Sequence, residues 1–117
     1  MSFKLEVAID ERIEASIKQN LSVQPGNLYQ AAVYYRQAGK DLNQALAWIT
    51  EAVTKWDAQG NNVFWAYRVK AEIEAELKKY EQAIATAEIS KSKAQEAGND
   101  QYVKFNDENI AKWKEML

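Results

Sequence analysis

The side chains of this sequence best suited to moving protons are carboxylates, and they cluster. Glu72, Glu74 and Glu76 crowd one stretch, and Asp107 and Glu108 adjoin further on. Glu72 and Glu76 stand four residues apart, which places them on one face of a helix. Glycosidic hydrolysis needs two carboxylates across a cleft, one with a strongly raised pKa. Carboxylates beside Lys70, Lys78 and Lys79 read instead as the charged, solvated outer face of a helix. The chain has no histidine, the commonest general base and metal ligand. It has no cysteine either, which excludes disulfides, thiolate nucleophiles and Cys-type zinc sites. No catalytic residue is assigned, and no metal, nucleotide or organic cofactor is expected to be needed for folding.

Aromatic side chains are the next candidates for function. Trp48 shares a stripe with Ala45 and Ala52, and Trp56 ends that stripe, so both read as core or hairpin-end packing. Trp113 falls in the last helical stretch, as part of a terminal cap. Trp65 differs, because it lies off the stripe made by Phe64, Tyr67 and Ala71. Fifteen basic residues against seventeen acidic ones leave a net charge of −2, with no basic excess to attract a nucleic acid. No apolar run approaches the ~20 residues that span a bilayer. The start, Met1-Ser2-Phe3-Lys4, lacks the apolar core of a signal peptide. The absence of cysteine suits cytoplasm and periplasm equally. Asn20-Leu21-Ser22 matches a glycosylation acceptor, a triplet that arises often by chance.

These residues must be positioned by helices. Pro25-Gly26 opens a helical stretch that Gly39 closes, and Gly60-Asn61-Asn62 and Gly98-Asn99-Asp100 end two later ones. Glycine supplies the left-handed turn after a helix, and Asn or Asp then caps the next. Apolar positions at helical spacing predict five helices, at about 26–38, 42–58, 62–77, 80–97 and 100–116. Short connections make neighbours antiparallel. Sliding residues 42–61 onto 80–99, an offset of 38, aligns Gln44, Ala45 and Ala47 with Gln82, Ala83 and Ala85. It also aligns Lys55, Gly60 and Asn61 with Lys93, Gly98 and Asn99. Ala32 and Ala71 both precede a turn of Gly or Lys type. Ala45 and Ala83 are expected to be buried where helices cross.

Leu28, Ala32, Tyr35, Gly39, Leu42, Ala45 and Ala52, then Tyr67, Ala71, Leu77, Tyr80, Ala83 and Ala87, together resemble the tetratricopeptide repeat (TPR) pattern. Lys79-Tyr80-Glu81-Gln82-Ala83-Ile84 is its most typical stretch. The period of 38–39 exceeds the usual value of about 34, because the second helix of each pair is about a turn longer. The resemblance implies an all-α fold of antiparallel hairpins stacked as a short right-handed solenoid. Its repeats would cover about 25–60 and 62–98, with a terminal helix at 100–116. It also implies that Tyr29, Val33, Arg36, Trp65, Arg68 and Glu72 face a concave groove that takes a protein or peptide. For Trp65 a second reading stands beside this one, in which it packs on the fifth helix. The run from Tyr29 to Ile49 is also similar to the C-terminal tail of certain bacterial proteins of unknown function, in which a β-rich domain precedes the helices. That likeness implies that Met1 is an engineered start and the chain a fragment. The helices would then pack against the β-rich domain, a structural role set against the binding one.

The N-terminus has a different period. Phe3, Leu5, Val7 and Ile9 alternate with polar or small residues, as in a half-buried strand, so residues 1–10 read as extended and 11–117 as helical. One helix from Lys4 is the competing reading, since Leu5, Ile9, Ile13 and Ile17 are spaced by four. A strand at 2–9 would pair with an upstream domain or with a second copy in a weak homodimer.

Overall fold

The computed structural model describes residues 24–117; the expectations for an extended segment at 1–10 or a helix from Lys4, and for the homodimer contact, lie outside them. Five helices make up the regular structure of the described residues: α1 Pro25–Gln37, α2 Leu42–Ala58, α3 Phe64–Glu76, α4 Tyr80–Glu96 and α5 Asp100–Glu115. All five expected helices are present, with ends within two residues of those read from the sequence. Each connection is too short for anything but a reversal, so neighbouring helices run antiparallel. α1 packs closely on α2, α3 on α4, and α4 on α5, whereas α2 meets α3 less extensively. None of the five is long and apolar enough to cross a membrane.

The four reversals are built alike. Gly39, Gly60, Lys78 and Gly98 all take a positive φ, of 69°, 80°, 63° and 72°. The next backbone N–H in each case reaches back five residues: Lys40 to the Tyr35 carbonyl, Asn61 to Trp56, Lys79 to Glu74 and Asn99 to Ala94, all within 3.0 Å. The residue at positive φ donates in turn to the carbonyl three residues back. This is the Schellman arrangement, which satisfies carbonyls that a helix end would otherwise leave open. The repetition now holds in backbone geometry as well as in sequence.

Lys78 alone occupies this position with a Cβ, which costs energy in the left-handed region. Lys78→Gly is therefore expected to stabilise the chain by about 0.5–1 kcal/mol. Gly39→Ala should do the reverse, because its added Cβ meets nothing within 4 Å and the strain of φ is all that changes. Urea midpoints of the two variants check this; a lower midpoint for Lys78→Gly would count against it.

The helix starts follow the sequence only in part. Asp41 caps α2, its Oδ1 accepting from the Asn43 and Gln44 backbone N–H groups at 2.9 and 3.3 Å. Asn99 caps α5 by accepting from the Tyr102 N–H at 3.0 Å. The expected Asn cap of α3 does not form, since Val63 stands at that position without a side-chain bond. Asn62 instead donates to the Lys93 carbonyl at 2.9 Å, tying this turn to α4.

Two apolar clusters fill the interior. Leu28, Ala32 and Tyr35 of α1 meet Ala45, Trp48, Ile49 and Ala52 of α2, and α3 adds Ala66, Tyr67 and Ile73. Ala71, Ala83, Ala87, Ile110 and Trp113 form the second cluster, between α3, α4 and α5. Ala45 and Ala83 are fully buried, as small residues at close helix crossings should be. α3 belongs to both clusters and is covered on two sides. That explains one departure from the sequence reading: Glu74 is buried, with Oε2 3.2 Å from Lys70 Nζ, and is no part of a solvated outer face. A polar chain also crosses the interior. Asn106 Nδ2 donates to Ser90 Oγ at 2.8 Å, and the Ser90 hydroxyl donates to the Phe64 carbonyl at 2.7 Å, linking α5, α4 and α3.

Candidate functional site

The odd-numbered helices share one side of the stack. On α1, Tyr29, Val33 and Arg36 recur at the spacing of a single helical face. Trp65, Arg68, Glu72 and Glu76 do the same on α3. All six residues expected to line a groove are half-buried. At one end Tyr29 meets Trp65 edge-on, with ring centroids 5.0 Å apart, and Trp56 of α2 lies 5.1 Å from Trp65. The ring partners of Trp65 are thus on α1 and α2.

At the other end the side chains are ionic. Arg36 Nη1 lies 3.2 Å from Glu72 Oε1, and Arg36 Nη2 lies 3.0 Å from Glu76 Oε2. Arg36 Nε also donates to both Glu76 oxygens, at 3.2 and 3.0 Å. Burial alone would lower the pKa of this guanidinium, but hydrogen bonds and charge from Glu76 and Glu72 outweigh it and raise the pKa. Glu72 turns its second oxygen toward Arg68 Nε at 3.4 Å, close enough for an ion pair but not aligned as a hydrogen bond. Arg68 in turn lies over the Phe105 ring at 4.7 Å and the Tyr102 ring at 5.4 Å. Burial pushes the Tyr29 phenol up, with Tyr102 and then Glu72 adding to the shift.

Five of the six expected residues are therefore joined in two groups, Tyr29 with Trp65, and Arg36 with Glu72 and Arg68, the second group reaching toward α5. Val33 lies between them on the face of α1. Beyond the ionic group a cavity of about 250 Å³ opens between α3 and α5. Arg36, Glu72 and Glu76 form one wall, Asn109 and Lys112 the other, and Tyr80, Trp113 and Met116 supply apolar surface. Sequence reasoning missed Glu76, Asn109 and Lys112 as residues that line this cavity. Lys112 makes no ion pair among the described residues.

The arrangement can hold a ligand between charged walls, but it holds no set of acid and base poised for proton transfer. Its carboxylates are engaged by arginine. No group of His, Cys, Asp or Glu among the described residues is placed to hold a metal ion. No family model matches the chain, and no curated protein or solved structure matches it either.

Proposed function

We propose that this chain is a TPR-like interaction module, without catalytic activity of its own, whose groove between α1, α3 and α5 receives a peptide or helix of another protein. The observation that carries the reading is the cavity itself: it lies on the face shared by the odd-numbered helices and presents Lys112, which has no ion pair among the described residues, beside apolar Trp113 and Met116. Tyr, Trp and Arg, the residue types that most often carry binding energy, recur along this face. The four equivalent Schellman turns support the repeat reading behind it. A groove made by two pairs and one helix is short, which favours modest affinity.

The alternative is a structural domain, its helices packed permanently on an adjoining β-rich domain. One observation favours it: the six expected groove residues are already half covered, and Arg36, Glu72 and Arg68 are engaged with one another. Selection from a random peptide library against the folded chain separates the two. Enriched peptides should lose about tenfold or more in affinity on Arg36→Glu or Lys112→Glu. Failure to enrich, or peptides indifferent to both changes, would remove the groove as a binding site.

A further inference from the structure

Beside the apolar cluster that α1, α2 and α3 share, α1 and α3 meet through unlike contacts at two ends of the groove face. Near the start of both helices, Tyr29, Trp56 and Trp65 make a triangle of rings with centroids 5.0 to 6.0 Å apart. Toward their ends, Arg36 spans to Glu72 and Glu76. Seven residues, or about 10 Å of helix, separate Tyr29 from Arg36. α1 and α3 otherwise touch each other sparsely, far less than α1 touches α2 or α3 touches α4.

We infer that the α1–α2 hairpin pivots on the aromatic triangle, and that Arg36 with Glu72 and Glu76 is a latch that holds the groove at its narrow setting. This rests on the groove being the working face, and it adds how that face is regulated. The aromatic end is apolar and indifferent to ions. The ionic end is open to water, with the side chains of Arg36 and Glu76 exposed by 30% and 41%. Exposed ion pairs are individually weak and are screened by salt, whose reach falls from ~10 Å at 0.1 M to ~3 Å at 1 M. Arg36 and Glu76 line the cavity, so movement of α1 away from α3 withdraws Arg36 from its wall. Glu72 stays in place when Arg36 leaves, because Arg68 on the same helix still holds its second oxygen. A ligand bearing its own carboxylate would compete with Glu76 for Arg36 and so favour the open setting.

The chain has no cysteine, so introduced pairs can carry spin labels at defined sites without background. Gln37→Cys on α1 with Glu108→Cys on α5 reports across the groove, both positions being exposed. Gln82→Cys on α4 with Glu108→Cys is the control within α3–α5. Label separations are measured by pulsed EPR at about 0.1 M and about 1 M salt, a range that takes screening from ~10 Å to ~3 Å. The cross-groove separation should lengthen and broaden at high salt, and Arg36→Ala should reproduce this at low salt, while the control pair stays fixed. An unchanged cross-groove separation in both arms, or equal broadening of the two pairs, overturns the latch. If Arg36→Ala fails to fold by circular dichroism, the salt arm, with Arg36 intact, decides alone. No ligand enters the measurement, so failure of the latch and failure of the binding reading are distinguishable.

Discussion

Trp113→Ala should cost about 3–5 kcal/mol of folding free energy, the range for truncating a large buried aromatic. The indole is 5% exposed and packs with Ala71, Ala83, Ala87 and Ile110 in the second apolar cluster. Its neighbours are mostly alanines, which have no rotamers with which to fill the space left behind. Domains of this size are held by roughly 5–15 kcal/mol in all, so the loss is a large share of the total. The expected result is a much lower urea midpoint, with hydrogen exchange in α5 accelerated before that in α1 and α2. Asn109 and Lys112 ride on α5 and Met116 follows its last residue, so the cavity wall should be lost along with it. Trp65→Ala offers the contrast. Trp65 is half-buried against two other rings, and its truncation should cost less. A midpoint for Trp113→Ala equal to the parent's would show that α5 is held by something else.

Asn106→Asp should be comparably damaging, and its effect should depend on pH. Asn106 is fully buried, and its amide donates to Ser90 Oγ and to the Tyr102 carbonyl. A carboxylate there loses both donors and faces that carbonyl as a second acceptor. A buried charge without a partner costs about 3–5 kcal/mol near neutral pH. Burial raises the folded-state pKa of the introduced acid above its unfolded value of about 3.9. The group therefore does least harm below that value, and stability is lost as the pH rises through the folded-state pKa. The deficit relative to the parent should be large at pH 7 and should shrink toward pH 4. Asn106→Leu makes a useful companion, because it removes the Asn106 oxygen that finds no partner and leaves Ser90 free to donate to Phe64. It should cost much less than Asn106→Asp at pH 7. A deficit for Asn106→Asp that does not vary with pH would show that no charge is buried at this position.

Much of the architecture was legible because it is written in residues with narrow uses. Gly39, Gly60 and Gly98 marked three reversals, and all three do adopt positive φ. The fourth reversal hid behind Lys78, a residue whose type does not favour that conformation. Ala45 and Ala83 gave away the close crossings. On α3 a single apolar stripe was expected, through Phe64, Tyr67, Ala71 and Leu77, yet Ala66, Ile73 and Glu74 are buried as well. A helix covered on two sides does not show one clean period, so its second face could not be recognised. Ser90 and Asn106 went unnoticed, and Glu74 reads as surface in the sequence, for a related reason, since polar types at buried positions look like surface until their partners are known. For the proposed groove, the resemblance suggested the positions and the structure supplied their contacts. Arg36 and Ala75 are equivalent under the spacing that relates Gly39 to Lys78, and Glu72 and Glu76 flank Ala75. Aligning the two turns would have placed these carboxylates within reach of Arg36.

The shared geometry of the four reversals has a consequence for how such a chain can grow. Each junction is closed by the same pair of backbone bonds. A copy of residues 40–78 spliced in after Lys78 would leave and enter through turns of the kind already present. Its first helix would pack where α4 now follows α3, and its second would offer α4 a familiar neighbour. Length in this molecule is therefore an adjustable quantity: the stack lengthens by whole pairs, as a ladder does by rungs, and every added pair lengthens the face shared by the odd-numbered helices.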